Sequence, residues 1–277
     1  MITAIVSKKG GVGKTTSAVN LAAALAESGR RVLLVDLDSQ ASASLSLGVP
    51  RQALAPSVAD ALMWGTPLGE TVRPTATPFL DLVTASVDLA SADFELGGHR
   101  DRESHVKRAL ARVADDYDHV VLDCPPGLPL MAINALVAAD AFLVPVTPHF
   151  LAIAGVDSLL HAAERVRAHH NRRLTLAGIL LTLVDYRSNE TRRNVDLMRE
   201  TYGSDVFGIE VRINVRLAEA PSAAKTIFQY SPKATGAGNY RLAMEEFLLR
   251  TARLRERATV ELGEESAVPD PQGYGLQ

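Results

Sequence analysis

Lys9-Gly10-Gly11-Val12-Gly13-Lys14-Thr15-Thr16 is the stretch that decides how this chain folds. Before it, residues 2–6 form a short apolar, β-branched run that ends at the glycines, the pattern of a buried strand. After it, residues 15–27 are rich in Ala and Leu at helical spacing, and Gly29 is a fitting stop. A strand, a glycine turn and a helix in that order make a phosphate cradle. Glycine lets the backbone curl so that successive N–H groups point inward. The helix adds its positive N-terminal end. Lys14 places a cation on the β- and γ-phosphates, and Thr15 offers a hydroxyl to magnesium. The whole run, Lys9, Gly10, Gly11, Val12, Gly13, Lys14, Thr15 and Thr16, is therefore the expected binding site for ATP with Mg2+. A glycine turn that binds nothing is the bland alternative, and Gly-Lys-Thr-Thr between a strand and a helix speaks against it.

Lysine occupies both position 8, where the usual pattern has another glycine, and position 9. Lys9 lies on the rim of the loop, whose own phosphates are already served by Lys14. It is either a solvated surface lysine or a cation reaching phosphates held by a second subunit, and spacing does not choose between the two.

Moving outward, residues 32–35 form a second apolar strand that ends in Asp36-Leu37-Asp38, and residues 120–122 form a third that ends in Asp123-Cys124-Pro125-Pro126-Gly127. In open parallel sheets ligands bind at the carboxyl ends of the strands, so these carboxylates face the phosphate loop. An apolar strand followed by Asp is a magnesium-holding pattern, which makes Asp123 the leading metal candidate. Asp36 is either a second metal carboxylate or a cap for the next helix. Asp38, on the same side by alternation, is placed to orient or deprotonate an attacking water. Cys124 reads as a small buried residue, since no histidine stands near it.

Residues 80–83, 141–146 and 176–183 look like further strands, with helical segments between them and a helix at 104–114. Nearly all-apolar strands alternating with helices imply an α/β fold: a mostly parallel central sheet, Rossmann-like, with helices on both faces. Residues 39–78 mix Ser, Ala, Pro and Gly among short helical pieces and give no clear pattern. The last helix is expected at 237–257. The expected organisation is one ATPase domain over 1–262 and an acidic, disordered tail over 263–277.

The bulk composition fits this picture. The 277 residues are 47% hydrophobic and 22% charged, as in a chain with a full core. A net charge of −3 means that any nucleic-acid contact must come from a local patch. A single cysteine excludes an internal disulfide and the paired thiolates of an iron–sulfur or zinc site, and points to a reducing cytoplasm. Met1 leads straight into the first strand, so neither a signal peptide nor a membrane span is expected.

Together, Lys9 to Thr16, VLLVDLDSQ at 32–40, YDHVVLDCPPGLPLMAINAL at 117–136, GILLTLVDYRSN at 178–189 and NVRLAEAPS at 214–222 resemble the ParA/Soj branch of the ParA–MinD family of deviant Walker ATPases. The resemblance implies that Lys9 acts across an ATP sandwich homodimer. It implies that Asp38 positions the attacking water with support from Asp36, that Asp123 serves magnesium, and that Lys9, Lys14 and Asp38 are catalytic. It further implies slow ATP hydrolysis stimulated by a ParB-like activator with a basic N-terminal segment, and a dimer on the nucleoid through non-specific double-stranded DNA. The family's DNA-contacting arginines fall on Arg187 and Arg216. Residues 186–241 also carry Arg192, Arg193, Arg199, Arg212, Lys225, Lys233 and Arg241, a stretch able to contact phosphates without reading bases.

The chain departs from the family in places. Ser39 replaces the usual proline, Ala41-Ser42 the usual Gly-Asn, Val211-Arg212-Ile213 the usual Ile-Pro-Arg and Ala154 a usual glutamate. Three other functions share the fold. A MinD-like membrane switch needs a basic amphipathic C-terminal helix, whereas the chain is acidic and polar after Leu262. A metabolic ligase or kinase needs a small-molecule acceptor site. A positioner of non-DNA cargo would share every residue named above.

Overall fold

The computed structural model describes residues 1–265. Eight strands form one sheet: β1 (Ile2–Ile5), β2 (Val32–Asp36), β3 (Val72–Pro74), β4 (Leu80–Val83), β5 (His119–Asp123), β6 (Ala141–Val146), β7 (Thr175–Val184) and β8 (Val211–Arg212). Their order is β3-β4-β2-β5-β1-β6-β7-β8. Every pairing is parallel except β3 with β4.

Strand alternation divides the apolar residues between two cores, one on each face. Ala4, Leu33, Val35, Val120 and Leu122 belong to one core, where Met131, Val156 and Val195 represent helices Leu130–Ala138, Ala152–His169 and Asn189–Tyr202. Ile5, Val32, Leu34 and Val121 belong to the other, packed on helix Lys14–Glu27 and on Ala237, Tyr240, Ala243 and Phe247 of helix Thr235–Glu265. Burial on both faces is why these strands read as continuous apolar runs rather than as alternating ones.

The expected parallel sheet with helices on both faces is what forms. Three features differ from the sequence reading. Residues 39–78 hold three short helices, Ser42–Ser46, Val58–Met63 and Leu68–Thr71, and the antiparallel strand β3. Strands of two or three residues, such as β8 and β3, are too short to carry an alternation, and only pairing with a neighbour defines them. The helix expected at 104–114 is regular only over His105–Leu110, flanked by tighter turns. The last helix runs to Glu265, past the expected end at 257, because Glu, Ala and Leu, strong helix formers, dominate its continuation. The rest of the expected tail lies outside the described residues. Among those described, no helix is long and apolar enough to cross a membrane.

Register brings the functional ends together. Ile5 of β1 and Asp36 of β2 both pair with Asp123 of β5. The phosphate loop, which leaves β1, therefore lies beside the carboxylate that ends its neighbour β5, with that of β2 one strand further out.

Candidate active site

The glycine loop closes onto helix Lys14–Glu27 with Gly11 at φ 75° and Gly13 at φ 76°, left-handed conformations that a side chain would strain. Gly13 is the residue before the helix and has no side chain to cap it, which leaves the first N–H groups facing the cleft. Thr182 of β7 holds the loop from the far side: its Oγ1 donates to the Val12 carbonyl at 2.7 Å, and the pair is buried.

Lys14 sits inside the loop, 7% exposed, with Nζ 2.9 Å from Asp123 Oδ1 and 3.9 Å from Asp38 Oδ2. Burial by itself lowers the Lys14 pKa, but Asp123, with help from Asp38, outweighs it and holds the ammonium above its ordinary value. Burial pushes the Asp123 carboxyl up, against the opposing pull of Lys14 and of a hydrogen bond from Thr15. Asp36 is fully buried, and burial together with the neighbouring Asp123 raises its carboxyl to about 7. Its Oδ2 accepts from the Ser44 N–H and hydroxyl at 2.9 Å and 2.8 Å, and its Oδ1 from the Asp38 N–H at 3.2 Å. Asp36 thus anchors the turn that presents Asp38. Asp38 accepts from the Gln40 N–H at 3.0 Å through Oδ1, while Oδ2 faces Lys14.

These groups line a cleft of about 760 Å³ that includes Lys9, Gly10, Gly11, Gly13, Lys14, Thr15, Thr16 and Asp38. Its outer wall is Leu183, Ile213, Asn214 and Val215. Asp36 and Asp123 lie beneath the lining, fully buried. The two rim lysines differ. Lys8 Nζ donates to Ser158 Oγ at 3.2 Å, whereas among the described residues the exposed Lys9 ammonium has no ion pair or hydrogen bond. Cys124 is fully buried with its thiol pushed well up by burial, so it is inert packing.

The donor set fits magnesium. Asp123 Oδ2 is buried without a hydrogen-bond partner among the described residues, and the Thr15 hydroxyl lies against the same carboxylate. Asp38 and Asp123 face one buried lysine, with the buried Asp36 next to Asp123, so a divalent cation would offset an excess of negative charge. No group of three or more metal-binding side chains is assembled among the described residues. That suits magnesium, which takes one or two protein ligands and completes its shell with phosphate oxygens and water.

Arg187 and Arg216 lie outside the cleft lining. Both are exposed, and each turns onto a neighbouring acid: Arg187 on Asp185 at 2.6 Å, Arg216 on Glu219 at 2.7 Å. Sequence reasoning missed the roles of Thr182 and Ser44. No spacing links them to the loop, since they meet it only through the sheet.

Known proteins resemble the chain over most of its length. The family model described as AAA domain matches residues 1–176. The sporulation initiation inhibitor protein Soj of Bacillus subtilis is 40% identical over 239 residues, 86% of this chain and 94% of its own. The chain belongs to the ParA/Soj family. The chromosome partitioning protein ParA of Myxococcus xanthus is 39% identical over 249 residues, 90% of this chain and 88% of its own. A solved structure of cobyrinic acid a,c-diamide synthase from Mycobacterium smegmatis, with bound ADP and magnesium, superposes with a TM-score of 0.79 at 34% identity, covering 91% of this chain and 95% of that one. As a member of this family the chain is an ATPase.

The loop clamp gives a direct test of the site. Thr182→Val keeps the volume but leaves the buried Val12 carbonyl unpaired, at a cost of about 1–3 kcal/mol. The expected result is a lower melting temperature together with weaker nucleotide binding by calorimetry. An unchanged melting point and affinity would show that the loop does not depend on this bond.

Proposed function

We propose that this ParA/Soj chain is an ATP-driven switch whose two copies close face to face over Mg-ATP, bind duplex DNA without sequence preference, and let go when a partner protein speeds hydrolysis. The observation that carries the reading is the contrast between two lysines on one loop. Lys14 is buried against Asp123 and Asp38, ready to transfer its charge to phosphate oxygens. Lys9 stands on the cleft rim with its ammonium unengaged among the described residues.

In this reading the loop N–H groups, Thr16 and Lys14 cradle the phosphates. Thr15 and Asp123 would hold magnesium, with Asp36 behind them, and the bound ion would supply neutralisation of the phosphate charge. Asp38 orients the attacking water and accepts its proton, while the turn fixed by Asp36 and Ser44 keeps its carboxylate near Lys14. Lys9 reaches the partner copy's phosphates and offsets the charge that develops there. The exposed wall at Ile213 and Val215 is the side on which the base would lie.

DNA affinity rests on phosphate contacts from Arg187 and Arg216, and the ATP-loaded dimer is expected on the nucleoid. The activator is a ParB-like protein with a basic segment. Arg216→Glu is the test. It should abolish binding to random-sequence duplex while the ATP-dependent mass doubling remains, and retention of DNA affinity at moderate salt would move the DNA face elsewhere.

The resemblance to a protein solved as a diamide synthase favours a metabolic ligase as the second reading. The two separate in one assay. A partitioning ATPase hydrolyses ATP faster with DNA and its activator protein. A ligase turns over only with a small-molecule acceptor and ignores both.

A further inference from the structure

The arginines between 186 and 241 differ in their company. Arg187 pairs with Asp185, Arg216 with Glu219, Arg199 with Glu210 and Arg241 with Glu27. Arg192 and Arg212 are both exposed, and among the described residues neither joins an ion pair. Their guanidinium carbons instead lie over the ring of Tyr186, 5.2 Å and 5.3 Å from its centre. Arg192 also donates to the Tyr186 carbonyl at 3.0 Å.

The ring itself is fixed. The Tyr186 hydroxyl lies 2.7 Å and 2.9 Å from the two oxygens of Glu210, to which it donates, and Arg199 pairs with that same carboxylate at 2.8 Å. The nearby negative charge is thus engaged at the hydroxyl end, and the two cations over the ring keep theirs unmatched.

Like charges sharing one ring repel each other. The face of the half-buried Tyr186 ring attracts each cation weakly, enough to hold the side chains in place but not to neutralise them. An anion with several oxygens completes such a pair, and a phosphodiester suits the guanidinium fork. Arg187, the next residue after Tyr186, must give up Asp185 before it can do the same.

We infer that Arg192 and Arg212, carried on Tyr186, form a phosphate clamp for the duplex backbone. The inference rests on the DNA-binding reading above and deepens it. Tyr186 is a positioning residue, holding the two cations without touching DNA itself. Arg212 lies in Val211-Arg212-Ile213, the segment whose Val211 and Ile213 line the cleft, so the clamp adjoins the nucleotide site.

The test uses the ATP-loaded full chain and a random-sequence duplex, read by fluorescence anisotropy across a salt series. Each phosphate contact contributes about 0.9 to the slope of log affinity against log salt. Arg192→Gln combined with Arg212→Gln should therefore lower the slope by about 1.8 per bound subunit. Tyr186→Leu should lower both affinity and slope although it removes no charge. Tyr186→Phe keeps the ring face and should retain the wild-type slope. A purely structural tyrosine would shift the melting temperature in both variants and leave the slope alone, which would overturn its positioning role. A wild-type slope in the double arginine variant would overturn the clamp, while loss of binding in Arg216→Glu in the same series would leave the DNA reading standing. If the wild-type chain shows no ATP-dependent DNA binding, both fall together.

Discussion

Lys14→Ala is expected to abolish ATP binding, with an affinity loss of at least a hundredfold in a calorimetric titration. Lys14 is the only cation placed against Asp123 and Asp38 among the described residues, and its ammonium is buried where phosphate oxygens must come. Charge-assisted contacts of this kind contribute about 1.5–3 kcal/mol each, and more when water is excluded. The substitution has a second consequence. It leaves Asp123 buried without its partner, and breaking a buried ion pair costs about 3–5 kcal/mol unless the survivor takes up a proton. Asp123 is already biased that way by burial, so the variant is expected to fold, with a melting temperature that improves as the pH falls. The sign follows from the raised carboxyl: the folded state binds the extra proton at lower pH, which stabilises it there. Combining the variant with Asp123→Asn should restore the melting temperature but not nucleotide binding. Tight binding in either variant would remove Lys14 from the phosphate site.

The second large effect is expected at Asp38. Asp38→Ala should bind ATP and form the closed dimer, yet turn over roughly a hundredfold more slowly or worse, the usual scale for losing a positioned proton acceptor. Asp38 is not needed to shape the loop, since Gly11, Gly13 and Thr182 do that. Its carboxylate lies at the cleft wall and touches Lys14 only at 3.9 Å. Single-turnover hydrolysis and solution mass measured on the same sample separate the two properties. Turnover at the wild-type rate would leave Asp38 a structural turn residue, and loss of the dimer would place it in assembly instead.

Asp36 shows where tertiary contacts add to a motif. Its position at the end of an apolar strand was legible as a carboxylate beside the phosphate loop. That it grips Ser44 and the Asp38 N–H follows only from the chain turning back eight residues later. The hydrogen bonds make Asp36 the support for Asp38.

The sequence alone determined the phosphate loop, the strand-ending carboxylates, six of the seven parallel strands' positions to within a residue or so, and several of the helices that cover the sheet. These are local signals. Glycines between a strand and a helix, apolar runs buried on both faces and helical spacing each act over a few residues, and neighbouring chemistry suffices to read them. Only the folded structure decided which carboxylate faces Lys14, that Thr182 locks the loop from β7, and that Arg187 and Arg216 are occupied by acids while Arg192 and Arg212 are not. Those facts depend on strand order and register. Partners more than a hundred residues apart, such as Lys14 with Asp123 or Val12 with Thr182, meet because β1 lies between β5 and β6 with β7 next beyond, an arrangement that no local pattern encodes.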